Sequence, residues 1–451
     1  MSSMNMDRAS VRESLRSQLW PIPLAAVVVA LVLGQALPSL DRQLDDYMPA
    51  PVSGLLFDGG PEAARSFLET IASSTITVTS LTFSLTVVTL QLASSQFSPR
   101  LLRTFTRDRF VHNTLALFLA TFVFSLTVLR SIRVETSAGA AFVPEVAVTT
   151  AFALTIASVI GLVLFLAHLA RQIRVETMLR DVHRETDETL DRVFPEHGLK
   201  SPESSSPGPH TVLLLGAPSS GFLTRIDRTA LITAAVRFEA FVCIDVAPGA
   251  SLVAGMPVAR LWSVNKTPLD DERSAGLEQK VSGALRTGFE RTSTQDPSFG
   301  LQQLLDVTDK ALSPGVNDPT TAVHAISHIS AILSSLAGRQ TGPMTLRDED
   351  GTVRALLALP SFAELLELVM DQLITYAFGD PRTASRTVNL LSEIATSAAH
   401  TNALHLHWGA LDVQLRRART AIEASALDAT IRKHLTHQLT DMTSTTWPTR
   451  P

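Results

Sequence analysis

Four long stretches that lack Asp, Glu, Lys and Arg lie in the first third of the chain and limit what it can fold into. They cover residues 22–37, 70–99, 113–129 and 146–169. A helix rises about 1.5 Å per residue, so about 20 apolar residues cross a hydrocarbon core of about 30 Å. Each stretch is close to that length or longer. The sequence therefore predicts an α-helical polytopic membrane protein with four transmembrane helices.

Arginine is concentrated in the segments before the first stretch, between the second and third, and after the fourth. These segments carry Arg8, Arg12, Arg16, Arg100, Arg103, Arg107, Arg109, Arg171, Arg174, Arg180 and Arg184. The two other loops carry only Arg42, Arg65, Arg130 and Arg133, and the first of them is acidic. Because positive loops stay on the cytoplasmic side, both termini are predicted to lie inside. We interpret the first stretch as a retained span and not as a cleaved signal peptide. Its removal would leave three spans, and the basic 100–109 loop would then need a new signal to orient it.

Composition supports a bacterial membrane protein with a large soluble part. The 451 residues can hold a membrane bundle of roughly 170 residues and one or two further domains, and mean hydropathy is +0.20. Five of the 38 basic residues are lysine, a bias typical of a GC-rich bacterial genome, so the plasma membrane is the expected location. The net charge of −5 argues against nucleic acid as the main partner, and the single cysteine, Cys243, excludes a disulfide framework.

After the fourth stretch the sequence predicts a cytoplasmic α+β region. The predicted domains are a four-helix transmembrane domain at 1–172, a cytoplasmic helix and linker at 173–209, a small β-rich, barrel-like module at 210–265, a helical domain at 266–442 and a disordered tail at 443–451. The expected helices of the helical domain are 270–292, 297–312, 319–337, 361–378, 381–399, 402–424 and 427–442. Asp350-Gly351 between alternating runs predicts a β-hairpin among them.

Short β-branched runs separated by Gly, Pro and Ser predict the strands of the β-rich module. Its Ser220-Gly221 and Pro248-Gly249 phrases resemble the half-turns of small barrel-sandwich domains of biotinyl or lipoyl type. The module contains no lysine that could carry a cofactor, so we expect a module for assembly or binding, and no cofactor.

A threonine stripe runs along the second transmembrane helix. Its members are Thr75, Thr79, Thr82, Thr86 and Thr89, whose spacings of 4, 3, 4 and 3 place them on one helix face. Ser73, Thr77, Ser80 and Ser84 form a second row, expected to be adjacent. Helix packing alone explains such a stripe, because hydroxyls join transmembrane helices. The alternative is that the hydroxyls line a pore and replace water around an ion or small solute. Both interpretations stay open.

Arg100 and Arg103 follow the second stretch and are expected at its cytoplasmic end. They are either anchors that contact lipid phosphates or a ring of positive charge at the inner mouth of an oligomeric pore. The acidic first external loop would favour cations at the other mouth, so the sequence leaves ion selectivity open.

A distinctive soluble phrase extends from Asp296 to Ala322 and contains the turn Ser313, Pro314, Gly315, Val316, Asn317, Asp318 and Pro319. Asp318 before Pro319 predicts a capped helix start. Together with the phrase Phe83 to Arg100 and the Gly221 and Pro248-Gly249 segments, it resembles the bacterial predicted membrane protein family known as domain of unknown function 2254. That resemblance covers the chain from the first span to about residue 400. It implies an N-terminal membrane region followed by a cytoplasmic part, and it offers no catalytic residues to carry over to this chain.

Three histidine pairs are candidate metal ligands: His324 and His328, His405 and His407, and His434 and His437. The first pair has the i, i+4 spacing of a shared ligand set, but no HExxH pattern or nearby acidic ligand accompanies it, so no metal site is predicted. Gly276, Gly283 and Gly288 are expected in an ordinary polar helix. No set of nucleophile, base and metal ligands is recognisable, so we do not expect an enzyme.

Two functions fit these features. The first is a homo-oligomeric channel or passive transport module for an ion or small solute, with span two around its axis and a cytoplasmic assembly domain. The alternative is a membrane-anchored sensor or scaffold whose soluble half binds a partner or ligand. The second function requires a fragment from Leu199 onward to fold alone.

Overall fold

The computed structural model divides into two compact units, Met1–Arg174 and Val175–Pro451. It describes residues 20–44, 56–96, 108–133, 142–172, 174–194, 212–264, 268–401 and 403–445. The expected linker at 200–209 lies outside these residues, and so does the end of the chain from residue 446.

The first unit contains the four predicted spans as helices. They are α1 Pro21–Leu44, α2 Pro61–Gln96, α3 Arg109–Leu129 and α4 Glu145–Gln172. Each is long and apolar enough to cross a membrane. The helix α2 begins nine residues before the uncharged stretch, so Glu62 and Arg65, expected in a loop, lie in its first two turns.

The four helices pack around α3, which contacts the other three. One core cluster joins Leu68 of α2 and Phe124 of α3 to Ala151 of α4. At mid-helix the Thr121 and Ser158 hydroxyls are 3.0 Å apart and link α3 to α4. At the end of α1 the buried Asp41 accepts a hydrogen bond of 3.2 Å from the Ala147 amide in the first turn of α4. That carboxylate therefore satisfies an amide that the helix itself leaves unpaired.

The second unit opens with α5 Val175–Val193 and continues as a β-rich layer. Its elements are β1 Leu213–Gly216, β2 Gly221–Ile226, α6 Arg228–Arg237, β3 Ala240–Ile244, β4 Ser251–Leu252, β5 Pro257–Ser263, α7 Asp271–Ala284 and β6 Leu285–Gly288. The remaining elements are α8 Pro297–Leu312, α9 Pro319–Leu336, β7 Met344–Arg347, β8 Val353–Leu357, α10 Phe362–Tyr376, α11 Pro381–His400, α12 Leu404–Ala424 and α13 Ala429–Thr445.

The strands form two sheets. One has the order β1-β5-β3-β8-β7, antiparallel except for the β3–β8 pair, and the other has the order β4-β2-β6. Leu231 of α6 and Val281 of α7 are fully buried in a core with Val242 and Ala355 of the larger sheet. No pairing among the described strands closes either sheet into a barrel, so the expected barrel-like shape is not confirmed.

Two sequence expectations about this layer need correction. The helix expected at 270–292 ends at Ala284, because residues 285–288 pair with β2 as strand β6. Gly288 is therefore in a strand, not a helix. The predicted hairpin is confirmed as β7–β8, and its second strand pairs with β3 in the larger sheet.

The helical layer consists of α5 and α8 to α13. The amphipathic α5 buries Leu179, Val182 and Leu190 against α8 and α9. Arg339 contacts the C-terminal end of α5. Its guanidinium donates to the Phe194 carbonyl at 3.1 Å and pairs with the Asp191 carboxylate at 2.8 Å. The helix is thus part of the second unit's core.

Candidate functional site

The second candidate span, α2, is the strongest candidate site because it carries polar side chains along its whole uncharged stretch. Its side chains are described as far as Gln91, and none from Thr70 to Gln91 is ionisable. Two rows of hydroxyls follow the helix on different faces. One row is buried or half-buried, and the other is exposed.

The threonine stripe faces the interior of the first unit. Thr75, Thr79, Thr82 and Thr89 are buried, and Thr86 is half-buried. Four of the five hydroxyls donate to the carbonyl four residues earlier in the same helix, at 2.7–2.8 Å. Thr82 is fully buried and its hydroxyl has no partner among the described residues. In a single copy of the chain, the stripe therefore has the surroundings of a helix-packing face.

The second row faces outward. Ser73, Thr77, Ser80 and Ser84 are all exposed. They are not adjacent to the threonine stripe, as the sequence analysis expected, but on the opposite side of the helix. The reason is that each residue turns the helix by about 100°, so an offset of two residues gives about 200°. Exposed apolar side chains flank the row, among them Ile76, Leu81, Phe83 and Val88.

An apolar groove borders one side of this row. It has a volume of about 490 Å³ and lies between α1, α2 and α3. Trp20, Leu24, Thr79, Ser80, Phe83 and Leu119 line it. Ser80 of the outward row thus borders this cavity.

A polar cluster at the start of α3 was missed by the sequence analysis. Asp108 caps α3 by accepting from the Phe110 amide at 2.8 Å, and its other oxygen lies 2.5 Å from Nε2 of His168 on α4. His112, one turn into α3, is buried, and its Nε2 has no partner among the described residues. The signal in the sequence was Asp108 a few residues before the third uncharged stretch, since aspartate is a typical N-cap residue.

The expected mouth residues Arg100 and Arg103 lie outside the described residues. Their placement in a pore or at a lipid interface stays a prediction.

The distinctive turn between α8 and α9 is exposed at its tip and held by several hydrogen bonds. Ser313 donates to the Lys310 carbonyl at 2.7 Å, and Asn317 has a left-handed φ of 49°. Asp318 caps α9, accepting from the Thr320 and Thr321 amides at 3.1 Å. The Thr321 hydroxyl and these amides lower the pKa of Asp318. Pro314, Gly315 and Asn317 are exposed, and Pro319 occupies the first turn of α9. The predicted capped helix start is confirmed.

The same phrase begins with a buried ion pair that joins the β-rich and helical layers. Asp296 is 2% exposed, lies 2.7 Å from Arg291 and accepts from the Ser298 hydroxyl at 2.7 Å. Burial raises the pKa of Asp296 against the opposing effect of Arg291. Its carboxylate lies directly against Gly249, in the Pro248-Gly249 turn.

The other reactive side chains singled out in the sequence have structural surroundings. Cys243 is buried, and burial together with Asp245 raises the pKa of its thiol to about 11. Such a thiol is a poor nucleophile. His407 is buried, packs on the Phe362 ring and lies 3.0 Å from the Ala337 carbonyl.

Comparison with known proteins places these features in a family. The family model described as "Predicted membrane protein (DUF2254)" matches residues 16–393. "Uncharacterized protein Rv1290c" of Mycobacterium tuberculosis (strain ATCC 25618 / H37Rv) is 34% identical over 398 residues, which are 87% of this chain and 75% of that protein. "Uncharacterized protein Mb1321c" of Mycobacterium bovis (strain ATCC BAA-935 / AF2122/97) has the same identity and coverage. No solved structure matches the chain.

Proposed function

The chain belongs to the DUF2254 family of predicted membrane proteins, and from that premise we propose that it forms a homo-oligomeric passive transport module. The spans α2 of several copies surround a path for an ion or small solute, and the second unit supports assembly on the cytoplasmic side. Both termini are inside, at the plasma membrane of a bacterium. This role is non-enzymatic.

The observation that carries this proposal is the outward hydroxyl row of α2. Ser80 and Ser84 have no hydrogen-bond partner among the described residues, and both are exposed. A hydroxyl without a partner is unfavourable in hydrocarbon, at a cost of several kcal/mol on an alkane scale. A water-filled axis, or the same row of another copy, supplies the missing partners. The outward row, rather than the threonine stripe, is thus the surface that an oligomer would use.

The absence of ionisable side chains from the described stretch Thr70 to Gln91 of α2 favours passive over coupled transport. Between Thr70 and Gln91 the helix has no ionisable side chain, so it offers no proton relay and no charged site for coupling to an ion gradient. A path lined by hydroxyls would instead replace part of the hydration shell of the passing species.

Cysteine substitution on the outward row tests the proposal. Ser80→Cys and Ser84→Cys should react with a charged, membrane-impermeant thiol reagent, and the reaction should reduce solute or ion flux into proteoliposomes. The native Cys243 gives little background, because it is buried and its thiol has a pKa of about 11.

Two matched controls lie outside the outward row. Val163→Cys is exposed but belongs to α4, and Thr82→Val removes a hydroxyl from the buried stripe of α2. Neither should alter flux in the presence of the reagent. Equal flux in all four variants, with or without reagent, would exclude α2 as the wall of a path.

A sensor or scaffold is the second candidate, and the exposed turn between α8 and α9 favours it. Val316 at its tip is 48% exposed, although the turn belongs to the most distinctive phrase in the chain. An apolar side chain at the tip of a rigid, capped turn is suited to contact with a partner. This function requires the second unit to keep its fold without the membrane helices.

A further inference from the structure

Two helices packed together in the second unit each carry a pair of metal-ligating side chains one turn apart. Helix α5 has His183 and Asp187, and α9 has His324 and His328. The two helices are in contact. Residues at i and i+4 share a helix face, so the two pairs can converge on one place.

His183 has the hydrogen-bonding pattern of a ligand histidine. Its Nε2 lies 3.1 Å from an Asp187 carboxylate oxygen, while its Nδ1 is buried and has no partner among the described residues. In metal sites the far nitrogen of a ligating imidazole donates to a carboxylate, which orients the ring and leaves the near nitrogen for the ion. The buried His407, by contrast, has a carbonyl oxygen within hydrogen-bond distance of its ring nitrogen.

The distance between the two rings also fits a shared ion. The His183 and His328 ring centres are 5.0 Å apart, with the planes inclined at 61°. A tetrahedral zinc ion binds imidazole nitrogen at about 2.0–2.1 Å, and adding about 1.2 Å from nitrogen to ring centre places two rings about 5.2 Å apart. The separation seen without an ion is therefore close to that of a bridged pair.

A third imidazole, that of His324, is exposed one turn before His328 on the same face of α9. No three His, Cys, Asp or Glu side chains in the described part of the chain are placed to hold an ion as they stand. An exposed side chain can change rotamer at little cost, and a water molecule can supply the fourth position.

We propose that His183, His328 and His324 bind one divalent transition-metal ion of the zinc class, oriented through Asp187, and that the ion fastens α5 to α9. This site is independent of the proposed transport path, since it lies wholly within the second unit. Because α5 directly follows the membrane helices in sequence, the ion would strengthen the attachment of the first cytoplasmic helix to its domain.

Titration of the full-length protein in detergent, stripped with a chelator and dialysed, tests the site with Zn²⁺ alone. Calorimetry should show about one ion per chain with micromolar or tighter affinity. His183→Ala and His328→Ala should each weaken binding at least tenfold, and Asp187→Asn by about tenfold or more. Co²⁺ in place of Zn²⁺ should give the intense visible absorption of a tetrahedral site.

His437→Ala is the matched control. His437 also pairs with an aspartate one turn later, Asp441, at 2.7 Å, but on the exposed surface of α13. Its loss should leave zinc affinity unchanged. Equal weakening in His437→Ala and His328→Ala would identify adventitious surface binding and overturn the proposal. The absence of tetrahedral Co²⁺ absorption from the wild-type protein would overturn it without any variant, so misfolding of a variant cannot obscure the result.

Discussion

Gly249 and Asp296 show at the scale of single residues how the two layers of the second unit are held together. Gly249 has a φ of 92°, and a Cβ there would lie 2.0 Å from an Asp296 carboxylate oxygen. The same carboxylate is buried and paired with Arg291. The turn between β3 and β4 and the start of α8 therefore meet at a place that only glycine allows.

Gly249→Ala should lower the free energy of unfolding by about 3 kcal/mol or more, because it adds strain at a positive φ and displaces a buried ion pair. Gly255→Ala is the control, since Gly255 has a φ of 81° but no atom within 4 Å of its added Cβ. It should cost only about 1 kcal/mol. Equal shifts in the thermal unfolding midpoints of the two variants would show that the contact with Asp296 contributes nothing.

At the scale of single elements, α5 is the informative helix. The fragment starting at Leu199 that the sequence suggested would lack α5, and it would uncover the apolar faces of α8 and α9. We expect a fragment from Val175 onward to be monodisperse and to unfold cooperatively, and the fragment from Leu199 to aggregate. Circular dichroism and size-exclusion chromatography measure both. A stable Leu199 fragment would contradict the structural role of α5.

Local patterns in the sequence predicted most individual elements. The length of the uncharged stretches identified the four candidate spans. The capping residue Asp318 identified a helix start, and the turn pair Asp350-Gly351 identified the hairpin. Contacts between distant segments were not predictable in this way. Strand β6 forms because residues 285–288 meet β2, and β8 joins β3 across about a hundred residues of chain. A local sequence pattern does not indicate which distant segment a strand will pair with.

The candidate site was likewise predictable only in its local features, and not in its contacts with distant segments. The spacing of the hydroxyls in α2 predicted a polar helix with a threonine stripe. Which face is buried depends on where α3 packs, and the sequence of α2 alone does not contain that information. The pair His183 and His328 was missed for the same reason, since its members are 145 positions apart and meet only through helix packing.

At the scale of the whole molecule, the account depends on assembly. One copy buries the threonine stripe and exposes Ser80 and Ser84, so a path along α2 can form only where the outward faces of several copies meet. Closed rotational symmetry gives each copy the same environment and is the usual arrangement of homo-oligomers.

The mass and symmetry of the purified full-length protein in detergent or nanodiscs test this claim most directly. The account predicts a closed ring of three or more copies with Ser80 and Ser84 of each α2 facing the axis. Copper-catalysed oxidation of Ser84→Cys should then link neighbouring copies, and oxidation of Val163→Cys on α4 should not. A monomer, or a ring with the outward face of α2 turned to lipid, would contradict the transport path and direct attention to the second unit.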